Sequence, residues 1–416
     1  MRTEIRHGRV VDPASGRDNT ESIFIADGYI VALGDAPAGF ATDQVIDATG
    51  LVVCPGLIDL AARQLTQESE LTAAVAGGIT TACCPPDTDP PLDEPGLITP
   101  LLQRAESIGK VKVAPVGALT VGLQGSMLAE LVDLARAGCI AFSQAGRPLA
   151  DNKTLRRALQ YAATFDLPVW IHAEDPALAN EGVAHEGEVA ARLGLAGIPV
   201  SAETVALHTL IELTAETGAR VHVTRLSSAS GVEIISRAKA RGARITCDVS
   251  IHSLHYCDAN IAFFDTHARL SPPLRAPRDR DGLRQGLSDG IIDALCSDHT
   301  PISEDGKLLP FGEAKPGAIG LELLLPLALR WAGLEKRSLA SALAPVTFGP
   351  ALVAGLPGGR LAQGAPADLC LFDPEAEWTV APPHLFSRYR NTPCLGEPMR
   401  GQVKKTLIGG RLVFSR

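Results

Sequence analysis

The middle of the chain alternates short apolar runs with longer segments whose apolar residues recur at helical spacing. Such alternation is typical of βα units and predicts a parallel sheet. The first run, residues 51–60 (LVVCPGLIDL), is apolar on both faces, as expected of a barrel strand. Further strands are predicted at residues 78–83, 112–117, 139–143, 168–172, 220–224, 243–249 and 291–297. Helices are predicted between them, for example at residues 127–137, 154–165, 202–217 and 232–241. Eight strands can close a (β/α)8 barrel.

Both ends of the chain instead carry short β patterns. Residues 23–33 place Asp27-Gly28 between two apolar runs, which is a strong hairpin cue, and residues 401–414 have a Gly409-Gly410 turn. Neither end has enough strands for its own core, so we expect the two ends to pair into one small β-sandwich. The predicted fold is therefore α/β, a TIM barrel at 51–345 with a sandwich built from residues 1–50 and 346–416.

Composition argues against some classes of partner and predicts the cellular compartment. The formal net charge is −9 and no stretch clusters Lys and Arg, which argues against nucleic acid or anionic membranes as partners. The longest apolar stretch, residues 317–334, is interrupted by Glu322, Pro326 and Arg330, so we expect no membrane span. The N-terminus lacks a secretory apolar segment, and nine cysteines without a C-x-x-C pair are typical of a reducing compartment. We therefore expect a cytoplasmic protein.

Several motifs follow predicted strands in a specific order. They are PGLIDL at 55–60, WIHAEDPALA at 170–179, VHVTRLSSASGVE at 221–233 and CSDHTPIS at 296–303. In this order and spacing, the chain resembles the dihydroorotase branch of the amidohydrolase superfamily over nearly its whole length. The resemblance implies a barrel whose functional residues lie at the C-terminal ends of the strands.

In active members of that family, the resemblance implies a dinuclear zinc site that activates water for hydrolysis of a cyclic amide. Its ligands would be a His pair after strand one, a carboxylate after strand four, one His after each of strands five and six, and an Asp after strand eight. The corresponding positions in this chain are Ala61, Arg63, Gln144, His172, Arg225 and Asp298. Ala has no donor atom and Arg is a permanent cation. Only His172 and Asp298 remain as ligands, so we expect neither a metal site nor a catalytic one.

The resemblance also implies an Arg, an Asn and a His that bind the anionic substrate. The corresponding positions hold Leu65, Asp87 and Ile302. Loss of the Arg removes a bidentate clamp, and Asp87 is expected to add like-charge repulsion toward an anion. The sequence therefore predicts that the substrate contacts have been lost together with the zinc ligands.

Other histidines are weaker candidates. His222 lies three residues before Arg225, and on a strand this odd spacing predicts the opposite face, hence a structural role. His252 and His255 follow strand seven and could reach the barrel mouth, but no carboxylate is spaced with them. The resemblance assigns His299 a supporting role beside Asp298. We further hypothesise that Asp298, without a metal, is neutralised by Arg63 or Arg225.

Two main functions follow. The first is a non-catalytic dihydroorotase-like protein of pyrimidine biosynthesis. By resemblance to inactive homologues, it would associate as an oligomer with the catalytic chain of aspartate transcarbamoylase and support that enzyme. The alternative is an active zinc-dependent cyclic amidohydrolase with a rebuilt mononuclear site from His172, Asp298 and one of Glu174, Asp175 or His252. A metal-free sensor of small molecules is a third interpretation, without positive support in the sequence.

Overall fold

The structure, a computed structural model, describes residues 2–416 and contains two large sheets. The strands, β1 to β18 in chain order, are Arg2–Asp12, Arg17–Ala26, Tyr29–Leu33, Gln44–Asp47, Val52–Pro55, Leu57–Asp59, Ile79–Cys84, Lys112–Ala118, Ala141–Ser143, Pro168–Ile171, Ala184–His185, Gly197–Ile198, Arg220–Val223, Ile245–Ser250, Ala294–Cys296, Leu369–Thr379, Pro398–Ile408 and Arg411–Ser415. The helices, α1 to α13, are Glu68–Ala76, Pro95–Ile108, Leu131–Ala137, Asn152–Thr164, Pro176–Ala179, Glu188–Leu193, Val200–Thr217, Ala229–Ala240, Pro277–Ser288, Glu304–Lys307, Leu324–Leu334, Leu339–Leu343 and Phe348–Ala354. Single 3₁₀ turns lie at Val121–Leu123, Asp258–Ile261, Thr266–Ala268, Leu321–Leu323, Ala344–Val346 and Pro382–His384.

One sheet is the predicted barrel. Its strands run parallel in the order β15-β14-β13-β10-β9-β8-β7-β6. A bridge between Ala62 and His299 joins its first and last strands just beyond their ends. Each predicted strand segment overlaps one barrel strand, so the (β/α)8 fold is confirmed.

The helices pack their apolar side on the barrel. In α4, the residues Leu155, Ala158, Leu159 and Ala162 are buried, which is the spacing of one helical face. The Asp151 carboxylate accepts a hydrogen bond from the backbone N–H of Thr154 and so caps the helix at its start.

Within residues 2–416, no helix combines the length and apolar character that a membrane crossing requires.

The second sheet joins the two ends of the chain. Its order is β18-β17-β16-β5-β1-β2-β3, with β4 beside β1, and the two ends meet where β5 pairs antiparallel with β16. Apolar residues from both ends, including Ile5, Ile23, Leu369 and Leu407, form one core cluster. The predicted association of the N- and C-terminal segments is confirmed, as one continuous sheet around its own core.

The run at 51–60 is not one barrel strand. Gly56 divides it into β5, which belongs to the terminal sheet, and β6, which opens the barrel. The Thr80 side chain lies 2.2 Å from where a Cβ of residue 56 would be, so only glycine fits at this junction. The prediction was therefore wrong for Val52–Pro55, while the domain boundaries at 50 and 345 stay predictions.

Candidate functional site

Four of the predicted positions meet at the C-terminal mouth of the barrel. Arg63, His172, Arg225 and Asp298 follow β6, β10, β13 and β15, respectively. The Asp298 Oδ1 atom lies 3.4 Å from Arg225 Nη1 and 3.6 Å from Arg63 Nη1. The Asp298 and Arg225 side chains are only 10% and 8% exposed. Two guanidinium groups thus flank one buried carboxylate.

Arg63 is held by three partners. Its Nε donates to Asp87 Oδ2 at 2.8 Å, and its Nη1 donates to Thr300 Oγ1 at 2.9 Å as well as facing Asp298. Burial pushes the pKa of Asp87 upward, but the charge and hydrogen bond of Arg63 outweigh this and leave that pKa below its usual value. Asp87 was expected to repel an anionic substrate. In the structure its charge is paired with that of Arg63, while the repulsion of an anion stays a prediction.

Arg225 is fixed by its backbone as well as its side chain. Its N–H donates to Asp248 Oδ1 at 2.7 Å, and its Nη1 donates to the Ser271 carbonyl oxygen at 3.0 Å. The residue has a φ of 56°, which is uncommon without glycine and turns the chain sharply after β13. This turn interrupts the strand periodicity and brings the Arg225 side chain to Asp298.

The same turn explains the position of His222. Val221 and Val223 pack in the outer core beneath the helices, whereas the His222 ring lies 5.2 Å from Trp170 inside the barrel. The predicted opposite face was wrong, because the strand ends before Arg225 and the odd spacing no longer applies. Both His222 ring nitrogens are hydrogen-bonded, to Thr246 and Asp248, as a structural histidine requires.

The Asp298 charge is only partly compensated. Burial raises the pKa of Asp298, and the charges of Arg225 and Arg63 offset part of this rise. Both guanidinium groups are within ion-pair distance, as the hypothesis of a neutralised Asp298 requires. The positive charge that faces this carboxylate is carried by side chains of the protein itself.

The donor set does not fit the zinc site that the resemblance implies. Ala61 is buried without a donor, and the Gln144 amide is engaged with Thr120 Oγ1 and the Leu123 carbonyl. The His172 Nε2 atom has no hydrogen-bond partner, and its nearest carboxylate oxygen, on Glu174, is 3.9 Å away. Within residues 2–416 no group of three His, Cys, Asp or Glu side chains is arranged to hold a metal. A catalytic zinc site normally needs three protein ligands, and none of this kind is assembled in that part of the chain.

The three positions expected to bind the substrate do not form an anion-binding site either. Leu65 is 1% exposed within the apolar core, and the Ile302 backbone N–H donates to Asn391 Oδ1. Asp87 is engaged by Arg63. None of the three therefore offers a side-chain donor at the mouth.

The remaining candidates for a rebuilt metal site are separated. The Asp175 carboxylate caps α5 by accepting from the N–H groups of Ala177 and Leu178. His252 is 1% exposed, and burial together with the nearby His299 and Lys307 lowers its pKa to about 4. The His255 Nε2 contacts the Leu327 carbonyl oxygen at 2.9 Å. Only Glu174 stays beside His172.

One polar cluster near the mouth was missed at the sequence level. Glu70 of α1 is fully buried and accepts hydrogen bonds from His299 Nε2 at 3.1 Å and from Ser387 Oγ at 2.7 Å. Its carboxylate thereby joins a barrel helix, the loop after β15 and the C-terminal region. The burial of Glu70 could have been predicted from helical spacing, because Glu70 shares a helical face with the apolar Ala73 and Ala74.

Comparisons with known proteins agree with the motif order. A family model described as "Dihydro-orotase-like" matches residues 50–230. The chain is 44% identical over 420 residues to a "Dihydroorotase-like protein" of Pseudomonas aeruginosa, covering 99% of each chain. It is 41% identical over 422 residues to a "Dihydroorotase" of Syntrophotalea carbinolica, covering 100% of this chain and 99% of that one. In structure it is similar to the L-hydantoinase (dihydropyrimidinase) of Arthrobacter aurescens, with a TM-score of 0.87, 25% identity and 99% and 95% coverage.

Proposed function

The chain belongs to the dihydroorotase family, and from this premise we propose that it is a non-catalytic member. In this proposal it serves pyrimidine biosynthesis as a structural partner of the aspartate transcarbamoylase catalytic chain. The partner comes from the resemblance to inactive homologues that associate with that enzyme. The relative from Pseudomonas aeruginosa is named dihydroorotase-like, whereas the one from Syntrophotalea carbinolica is named a dihydroorotase, so family membership alone leaves activity open.

One observation carries the proposal: the Arg63 and Arg225 guanidinium groups lie against Asp298, where the family would bring a metal. A metal cation within about 4 Å of their Nη1 atoms would meet strong repulsion in a buried site. Without a bound metal, no group at the mouth lowers the pKa of a water molecule enough to make it a nucleophile at neutral pH. The mouth can hold its own carboxylate in place, but it lacks the groups for hydrolysis of a cyclic amide.

We also propose that the protein is cytoplasmic. All nine cysteines are buried and free, which is consistent with a reducing cytoplasm. We expect aspartate transcarbamoylase, the proposed partner, in the same compartment.

Metal content and turnover test the loss of catalysis together. Protein prepared without chelators should contain far less than one zinc ion per chain and should not hydrolyse dihydroorotate. The matched variant A61H/R63H/R225H places imidazoles at three of the positions that the resemblance assigns to ligands, and it removes both guanidinium groups from Asp298. It should therefore gain zinc toward one ion per chain. Near-stoichiometric zinc in the natural protein, with turnover of dihydroorotate or another cyclic amide, would establish the alternative amidohydrolase instead.

Association with the transcarbamoylase tests the structural role. The catalytic chain of aspartate transcarbamoylase from the same organism, mixed with this protein, should elute with it as one larger complex. The assembled form should be more active or more stable than the catalytic chain alone. Equal assembly and activity of the transcarbamoylase without this protein would remove the proposed role.

A further inference from the structure

Four large apolar side chains lie exposed in two loops at the barrel mouth. Phe263 and Phe264, after β14, are 97% and 46% exposed, and Leu308 and Leu309, after β15, are 74% and 41% exposed. We call these four residues the rim patch. Clustered apolar surface can mark an interaction site, whereas apolar side chains scattered singly over a surface need no explanation.

Polar contacts hold the two loops side by side. The Thr266 hydroxyl donates to the Lys307 carbonyl oxygen at 2.6 Å, and the Lys307 ammonium donates back to the Thr266 and Arg269 carbonyls at 2.9 and 3.2 Å. Phe264 is two residues from Thr266, and Leu308 is the next residue after Lys307. Since a residue spans at most about 3.5 Å of chain, each apolar pair lies within about 11 Å of chain from the contact between Thr266 and Lys307. The two pairs therefore lie on neighbouring parts of the rim.

The backbone keeps the aromatic pair outward at a conformational cost. Ala262 and Phe264 have φ values of 47° and 66°, a region that residues other than glycine rarely adopt. Strained backbone of this kind is found more often at functional segments than elsewhere. Burial of a phenylalanine ring is favourable, so the exposed Phe263 ring adds no stability to the isolated chain.

The surroundings of the rim patch are acidic. Asp265, Glu304, Asp305 and Glu313 are exposed in the same two loops. The Lys307 ammonium is buried against carbonyl oxygens, which leaves Lys315 as the exposed lysine of these segments. A second copy of the chain would bring the same acidic border against this one, and like charges across an interface are unfavourable.

We infer that the rim patch is a docking surface for a different protein, one that presents an apolar cleft bordered by lysine and arginine side chains. This inference rests on the proposed function in taking that protein to be the transcarbamoylase chain. The rings and leucines enter the cleft, and the acidic border pairs with its basic edge. The lost catalytic mouth and the docking surface then lie at the same end of the barrel.

The experiment compares binding of the transcarbamoylase catalytic chain by the natural protein and by matched variants. F263S/F264S and L308Q/L309Q alter the patch from separate loops, and E304K/D305K reverses charge in its border. L352Q is the control, since Leu352 on α13 is 66% exposed among residues at the starts of the barrel strands. Both patch variants should bind at least about tenfold more weakly, as removal of buried anchors does. E304K/D305K should slow association and reduce its salt dependence, and L352Q should bind normally.

The outcomes separate the two proposals. If the natural protein does not bind the catalytic chain, the proposed function fails and the inference fails with it. If it binds and both patch variants bind equally well, the inference alone is overturned. A natural protein that self-associates through the patch, so that F263S/F264S becomes monomeric while still binding the catalytic chain, also overturns it. Circular dichroism and denaturant midpoints establish that each variant is folded.

Discussion

Arg225 has two structural roles at once. Its backbone N–H satisfies Asp248, which also accepts from His222, and its guanidinium group faces Asp298. A buried carboxylate without such a partner is expensive, because ionisation in a poorly solvated site is unfavourable. The ion pairs of Arg225 and Arg63 with Asp298 therefore help to stabilise the fold.

The variant R225M should destabilise the protein by about 3 kcal/mol, since it leaves Asp298 with only the more distant Arg63. D298N in the same background should recover most of that loss, and the two changes should couple by about 1–3 kcal/mol. Urea unfolding of the natural protein, both single variants and the double variant measures this. R237M, which breaks the exposed Arg237–Glu233 pair, is the control and should cost less than about 0.5 kcal/mol. Strictly additive effects of R225M and D298N would show that the two residues do not interact.

At the residue scale, the sequence predicted which side chains reach the mouth but only some of their contacts. Strand ends indicated Arg63, Arg225, His172 and Asp298, because the carboxyl ends of barrel strands converge. The Arg63–Asp87 pair was not predicted, although a cation and an anion both stand where relatives are expected to have neutral or metal-binding groups. The residues are 24 positions apart, and nothing in their local patterns links them.

Among the elements, the junction between β6 and β15 is where the barrel closes. Few backbone bonds cross it, and the Asp59 carboxylate supplements them by accepting from the Ser297 N–H at 2.8 Å and from the Ser297 hydroxyl. Burial raises the pKa of Asp59 to about 7, despite the hydrogen bonds from Ser297 that lower it. One carboxyl group at the closure of the barrel thus has a pKa well above its usual value.

The variant D59N should become more stable relative to the natural protein as the pH rises from about 5 toward 7. In this pH range the native state holds a proton on Asp59, whereas the unfolded chain has released it. The natural protein therefore loses stability as the pH rises, by at most about 1.4 kcal/mol per pH unit. The asparagine side chain of the variant does not titrate, and it keeps an oxygen that can accept from Ser297. Urea midpoints of both proteins across this pH range provide the measurement. Parallel pH profiles would show that Asp59 has the same pKa in the native and unfolded states.

Element boundaries show why the sequence could predict the barrel but not its entry. The apolar run at 51–60 satisfies the pattern of a buried strand in either sheet, so hydrophobicity cannot divide it. The division depends on Thr80 of β7, whose side chain leaves room only for Gly56. Similarly, the β-turn glycines at 28 and 410 were predicted from local chemistry, whereas the pairing of β5 with β16 joins residues more than 300 positions apart, as in the Cys54–Cys370 contact.

Across the whole molecule, the barrel and the terminal sheet share apolar core as well as chain. Phe372, Val403 and Phe414 of the sheet belong to the same buried cluster as the barrel residues Leu71 and Ile79. The Thr406 hydroxyl donates to the Val75 carbonyl at 2.7 Å, and Lys112 pairs with Asp368. Such contacts make separate unfolding of the sheet costly, because its loss would expose barrel core to water.

The two parts should therefore unfold in one transition, and the three tryptophans allow this to be observed. W331F/W378F leaves Trp170 inside the barrel, and W170F/W331F leaves Trp378 on β16, where its indole N–H donates to the Gly401 carbonyl. In each variant the fluorescence midpoint in urea should match the circular dichroism midpoint within about 0.2 M, as expected of a cooperative unit. Comparison within one variant removes the effect of the substitutions on stability. If Trp378 reports unfolding at clearly lower urea than circular dichroism does, the terminal sheet is a separate unit, and the shared cluster does not couple it to the barrel.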